Sequence, residues 1–558
     1  MTSPPSPWPT RLLRLAVYSL LACWVTWPAP LQLGTSVPGA GRSDLGNSLW
    51  SLWFVEHELS SGVIPWRTTL LGWPDGGVLL VADPLNAIIG LPLVAAFGLL
   101  AAYSLLCIGH VVFSGLAAHA LGLYLWGDRR AAWVAGVGFA LAPVLISGMQ
   151  NGTSEAIAGG WLPLSVLALL KALDRGGPGR IVFAGLCLFL AALSSWYMGI
   201  CAWLFWAGFL FAARPGISRG RRLGRSVTVA VLGLALTLPW AAAAHAGVQD
   251  PDNLVGIKHE KELDTVRRSI GPADPRGWFV PGDFRSPDFS ELSRYGEEFV
   301  HCHYLGWLLI LAAGAGCVRK GPGSGRGAVL VAGLGGLVLA MGPVVCMDGT
   351  AWVIDRRLAV PLPYFVIEDL PGFSSLSLLY RLGAAASLAL ALLAAGAVRA
   401  LPQSWAAPLL AVLVALEFRL AAPVHGLPDT SQMALDPAFD VLADAPKGAV
   451  INYPVAGGRS YLYEQSVHHK PLTGSLNFPN NSASRLVWAA MLQDAAAKNA
   501  GQPLKNTRRV ARKQKIRYLV IHEDGSARPD MHDQAVRALD AAQEPIAEGQ
   551  GVRIHALW

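Results

Sequence analysis

Three residues of this 558-residue chain have types that do chemistry together: Asp44, Glu155 and Arg381. Asp44 follows the first long apolar run and precedes an aromatic segment, Leu45 to Phe54, that fits the membrane surface. Glu155 stands at the mouth of the helix expected after Gln150-Asn151-Gly152-Thr153-Ser154. Two carboxylates on different loops could hold a divalent cation through oxygen. One could instead act as general base on an acceptor hydroxyl. Arg381, after Tyr380 near the end of a span, sits where a cation is costly unless it meets an anion. Its planar fork suits phosphate. Each residue also has a structural reading: Ser43 and Asp44 as helix N-cap, Glu155 as a first-turn acid favoured by the helix dipole, Arg381 as a snorkelling side chain.

Other polar clusters are less pointed. Lys258, His259, Arg267 and Arg268 form a charged group in one loop, a solvated face or a phosphate contact. His301 and His303 flank Cys302, a spacing open to a metal, and His468-His469-Lys470 reads as a strand-loop junction. The cysteines are scattered with no CxxC pair, so a zinc or redox framework is not expected. Cys302 and Cys346 are both placed at the outer face, where a disulfide is chemically permitted.

The elements that must carry these residues are membrane spans. Only 15% of residues are charged, against about a quarter in a soluble chain, and apolar runs near ~20 residues recur. Basic residues gather in short loops, the footprint of membrane orientation, and nucleic-acid binding need not be invoked. Arg11, Arg14 and the run to Trp27 make an uncleaved first span, followed by an outer loop to Pro84. Leu85 to Trp126 is uncharged and too long for one crossing, so its first part, to about Leu99, reads as an interfacial or re-entrant helix. Ile181 to Ala213 has arginines on both flanks and must be a hairpin turning near Ser194-Ser195-Trp196. Arg219, Arg221, Arg222 and Arg225 mark the inside. The tally is about eleven spans, with outer loops 30–84, 249–303 and 346–377 within a membrane unit 1–422.

From Pro423 the composition is that of a soluble domain, 423–558. Ala449 to Tyr453, Ile516 to Ile521 and Val552 to Leu557 read as strands, and Ser484 to Ala500 and Met531 to Ala542 as helices. The alternation indicates a small α/β domain outside the membrane.

In this setting the chain resembles the bacterial GT-C membrane glycosyltransferases, particularly YfhO-type members. Asp44 matches the acid of the first outer loop and Glu155 the acid after the third span. Tyr304-Leu305-Gly306 is similar to a "YLG" that opens a span. Gly342-Pro343, Pro361-Leu362-Pro363-Tyr364, Leu370-Pro371-Gly372-Phe373 and Arg381 follow the order "GP…PLPY…LPG…R". Tyr463-Glu464-Gln465-Ser466-Val467-His468-His469-Lys470-Pro471 is similar to "YxQtxHxKP". The resemblance implies sugar transfer from a polyprenyl-phosphate carrier to an acceptor at the outer face of the inner membrane, by inverting chemistry with the first-loop acid assisting. Many relatives carry two adjacent acids there; here Leu45 and Gly46 follow Asp44, which removes the paired motif that would hold a divalent metal ion.

The expectation is therefore a polytopic α-helical membrane protein, GT-C-like, with a C-terminal extracytoplasmic α/β domain and a cytoplasmic N-terminus. Asp44 and Glu155 are the candidate catalytic residues. Arg381, Tyr380, Lys258, His259 and Arg267 are the candidate substrate contacts. The donor is a polyprenyl-phosphate sugar in the membrane lipid, the acceptor a glycan, lipid or protein. Two rivals remain: a lipid-linked-sugar transporter or flippase, for which His110 and His119 are the intramembrane candidates, and a non-catalytic scaffold for envelope assembly.

Overall fold

The computed structural model describes residues 8–41, 43–80, 83–210, 212, 217–254, 266–281, 300–318, 325–354, 358–370, 372–374, 376–420, 428–454, 460–476, 481–497, 504–523 and 532–558. Uncharged stretches become helices because a bilayer offers the backbone no partner but itself. The helices in chain order are α1 (Trp8–Val25), α2 (Leu45–Ser60), α3 (Pro84–Phe97), α4 (Leu99–Trp126), α5 (Ala131–Ala140), α6 (Pro143–Gln150), α7 (Ser154–Ile157) and α8 (Trp161–Arg175). They continue as α9 (Pro178–Ser194), α10 (Trp196–Leu210), α11 (Arg219–Gln249), α12 (Trp307–Val318), α13 (Arg326–Ala340), a single unnumbered turn at Tyr364–Ile367, α14 (Ala384–Val398) and α15 (Ala406–Leu420).

Breaks fall where the backbone demands them. The long uncharged run divides at Gly98, whose φ of +81° suits a residue without a Cβ, so α3 stands apart from the spanning α4. The arginine-flanked run divides at Ser195 into the α9–α10 hairpin. One break was not expected: Ala131 to Met149 is two helices, because Pro143 opens α6 without an N–H to continue α5. Among the described residues, four segments are long and apolar enough to cross a bilayer: Leu99–Trp126, Ala131–Gln150, Arg219–Gln249 and Leu379–Val398. Five shorter apolar helices accompany them.

Beyond residue 427 a four-stranded sheet forms from β3 (Ala449–Tyr453), β4 (Ile516–His522), β5 (Ala547–Glu548) and β6 (Val552–Ala556), in the order β5-β6-β4-β3. β3 and β4 run parallel and the other pairs antiparallel. Side chains alternate across it. Ile451, Leu519 and Ile521 face a core made with Val487, Trp488 and Leu539, from α18 (Ser482–Ala496) and α20 (Asp533–Ala542). Val450, Tyr518, Val520 and Ile554 face the other way, into a core that runs on through α16 (Ala438–Asp444) and α17 (Ser460–His468) to α2. The remaining helix, α19 (Lys505–Gln514), packs against α18.

That second core overturns one expectation. Trp50 and Trp53 do not seat α2 on lipid; they are 0% and 7% exposed, covered by α17. A buried indole N–H needs an acceptor, and Trp50 Nε1 donates to Gln465 Oε1 at 2.7 Å. A further strand pair, β1 (Ser36–Pro38) with β2 (Thr430–Gln432), ties the loop before α2 to the C-terminal part.

Candidate active site

The site is built on the loop 150–155 between α6 and α7. Gln150 makes a two-way amide bridge: its Nε2 donates to Asp429 Oδ2 at 2.6 Å and its Oε1 accepts from Asp429 N at 2.7 Å. Asn151 does the same with Val300, at 2.9 Å to the carbonyl and 2.7 Å from the N–H. Gly152 then turns with φ +63°, and a Cβ there would lie 2.5 Å from the Leu45 backbone. The start of α2 is pressed onto this turn. Asp44 N donates to Asn151 O at 3.0 Å, and Ser48 Oγ donates to Gly152 O at 2.6 Å.

Asp44 occupies the N-cap position of α2, yet its carboxylate makes no capping hydrogen bond to that helix. Leu45 N is instead met by Ser43 Oγ at 3.4 Å. Asp44 is therefore not a side-chain cap of α2.

Glu155 lies in the first turn of α7 and is paired. Arg381 Nη1 donates to Glu155 Oε1 at 2.8 Å, with the two side chains 6% and 20% exposed. Arg381 comes from a 3-10 turn, Leu379–Gly383, held in place by Tyr380 N on Gly271 O and Leu378 N on the Tyr197 hydroxyl. Its guanidinium carbon stands 5.5 Å from the Tyr197 ring centre. Its Nε is buried without a hydrogen-bond partner among the described residues. Buried donors are nearly always satisfied, so this one marks where an incoming oxygen could bind. Tyr380 stacks on His301 at 4.6 Å.

A third acid completes the group. Asp83, 4% exposed, caps α3: Oδ1 accepts from Asn86 N at 3.1 Å and Oδ2 from Asn86 Nδ2 at 2.6 Å. Burial and then the neighbouring charge of Glu155 push its carboxyl up to about 8. Its carboxyl therefore favours the protonated form beside the Glu155–Arg381 ion pair. Asn86 links it onward to Ser154 O at 3.1 Å and His110 Nε2 at 2.7 Å. Asp83 was visible in sequence only as one more acid of a long loop; its signal was the Asp-Pro step before an apolar run, a helix-start pattern.

The other candidates are placed elsewhere. Arg267 is buried with its guanidinium on the Leu376 and Ser374 carbonyls, 3.7 Å from Glu368, whose other oxygen takes Arg268 at 2.7 Å. These arginines clasp the segments around 267 and 368–376 together. Lys258 and His259 lie outside the described residues. His301 and His303 bond the Ile270 and Asp274 carbonyls at 3.0 and 2.8 Å. Cys302 and Cys346 are both buried and not disulfide-bonded. His468 ends α17, buried, and burial drives its imidazole down to about 3. Among the described residues no three His, Cys, Asp or Glu converge as a metal set. Glu155 Oε1 is taken by Arg381, and both Asp83 oxygens accept from Asn86.

The architecture is that of a polytopic helical membrane protein, and its fold is similar to that of solved glycosyltransferases. The mycobacterial arabinofuranosyltransferase AftD superposes with a TM-score of 0.56 at 16% identity, over 100% of this chain and 42% of its own. The chain thus spans well under half of AftD's length. AglB, the oligosaccharyltransferase of Archaeoglobus fulgidus, solved with an inhibitory peptide and a dolichol-phosphate, gives 0.49 at 13% identity over 93% of this chain and 70% of its own. ArnT of Cupriavidus metallidurans, solved with undecaprenyl phosphate, gives 0.46 at 13% over 99% of each chain. No protein-family model and no curated protein matches the sequence.

Proposed function

We propose that the protein is a membrane glycosyltransferase that moves a sugar from a polyprenyl-phosphate carrier to an acceptor at the outer face of the inner membrane. The observation that carries this reading is the largely buried Glu155–Arg381 pair beside Asp83, with Glu155 on the loop that receives the N-terminus of α2 and Asp44. An acceptor hydroxyl attacks the anomeric carbon, Asp44 takes its proton, and the bond from that carbon to the phosphate oxygen breaks with the electron pair leaving on the carrier phosphate. Arg381 meets the phosphate through Nε while Glu155 fixes its orientation, the preorganised charge that such a transition state requires. No step is routed through a metal.

The transporter rival needs mobile intramembrane titrating groups. His119 Nδ1 is bonded to the Tyr18 hydroxyl at 3.1 Å and His110 to Asn86, which speaks for packing roles. The test is turnover of radiolabelled polyprenyl-phosphate sugars by purified protein and its Asp44→Asn variant. Transfer by the parent, reduced at least about a hundredfold in the variant, supports the proposal. No transfer by the parent favours the scaffold; equal transfer by both removes Asp44 as the base.

A further inference from the structure

The strongest charge anomaly of the molecule lies outside this site, on α19. Between Lys505 and Arg517 the chain carries Lys505, Arg508, Arg509, Arg512, Lys513, Lys515 and Arg517 with no acid, which matches the +7 net charge of the whole protein. Lys505, Arg508, Arg509, Arg512, Lys513 and Lys515 are all exposed. Among the described residues none of them is within ion-pair distance of a carboxylate. The pairs Lys505/Arg509, Arg508/Arg512 and Arg509/Lys513 are like charges four apart, each destabilising the helix by about 0.2–0.5 kcal/mol. The nearby acid, Asp494 of α18, does not relieve them. Both its oxygens are taken at the start of α19, by Asn506 N at 3.2 Å and Nδ2 at 3.0 Å and by Thr507 N and Oγ1 at 2.8 Å.

The remaining surface of α19 is spent on folding. Thr507 and Ala511 are buried against α18, so no apolar face is left to enter lipid as an interfacial helix requires. What remains is a stripe of cations about 15 Å long, at 1.5 Å per residue over ten residues. Such a stripe recognises a repeating anion, and releases its counterions on binding.

We propose that α19 is a docking surface for an acidic polysaccharide of the cell envelope, which holds the polymer beside the membrane unit. The proposal rests on the outer-face placement of the C-terminal part given above. Polygalacturonate serves as the probe, with dextran as the uncharged control, on the purified full chain in neutral detergent. Salt-sensitive binding to polygalacturonate and none to dextran is expected. The triple variant Arg508→Gln, Arg509→Gln, Lys513→Gln should bind about a hundredfold more weakly, from the usual worth of a cation at an anionic surface, with its melting temperature unchanged or slightly raised as the like-charge pairs are relieved. Equal binding by parent and variant, or binding of the parent to phosphatidylglycerol vesicles alone, overturns the proposal. A Lys505→Cys variant treated with membrane-impermeant maleimide on intact cells separates the two premises. Labelling without polygalacturonate binding removes the partner only; absence of labelling removes the outer-face reading and the partner with it.

Discussion

Arg381 and Glu155 make one bond that serves two ends, and their removal separates them. Arg381→Ala leaves a carboxylate with its partner gone in a largely buried place, a change that costs about 3–5 kcal/mol in comparable pairs. The double variant Arg381→Ala, Glu155→Ala should recover much of that stability and none of the transfer activity. Thermal unfolding in detergent reads the first, sugar transfer the second; a double variant as unstable as the single one would deny the pair its structural role. Asp83 yields a prediction in pH. Its folded pKa of about 8 is above its ordinary 3.8, so the folded protein keeps a proton that the unfolded chain has released. Stability from this group is fully present below about 4, is lost as pH rises through about 8, and does not change further above that. Asp83→Asn should remove a slope of up to about 1.4 kcal/mol per pH unit in that window. Chemical unfolding at several pH values checks it, and an unchanged slope would show that Asp83 is ionised in the fold.

The elements position these groups through contacts that no side-chain deletion reveals. Gly152 is the clearest. Its Cβ position is 2.5 Å from Leu45 backbone atoms, and its φ is +63°. Gly152→Ala must therefore push the start of α2 away from α7 without removing a single reactive group. Transfer should fall by at least about tenfold, because misplacement of that order weakens oriented catalysis, while carrier binding through Arg381 persists. A variant with unchanged turnover would show that Asp44 and Glu155 need not be held in register. Much of this was legible in sequence, for physical reasons. Uncharged runs flanked by arginine have only a few ways to cross a bilayer, which is why the Gly98 break and the Ser195 turn could be placed. Short β-branched runs fixed β3, β4 and β6 in the same way. The Trp50–Gln465 bond could not be read, because 415 positions separate the partners and indole suits both lipid interface and protein interior. Asp83 was missed for the related reason that burial, which sets its chemistry, belongs to the fold and not to the residue.

At the scale of the molecule, the C-terminal part and the membrane frame share structure. One face of the sheet shares its core with α2, and β1 pairs with β2. The Trp73 indole donates to Gln514 O at 3.1 Å, while its carbonyl accepts from Asn481 Nδ2 at 2.5 Å. Gln465 reaches three ways, to Trp50 and to the Leu70 and Lys470 carbonyls at 2.8 and 2.9 Å. Such shared cores unfold together, because neither side can keep its buried surface without the other. Deleting residues 428–558 would uncover Trp50, Trp53 and Phe54 and strip Gln150 of its Asp429 bridge, which loosens the loop that carries Glu155. The truncated frame should therefore aggregate or lose transfer, even though every candidate catalytic residue remains in it. A gentler probe is Gln465→Leu, which leaves the Trp50 N–H buried and unmatched at a cost of about 1–3 kcal/mol. Limited proteolysis of the C-terminal part and thermal loss of carrier binding should then shift together. If cleavage becomes faster while carrier binding melts at its original temperature, the two parts are independent and the shared core is only a surface of contact.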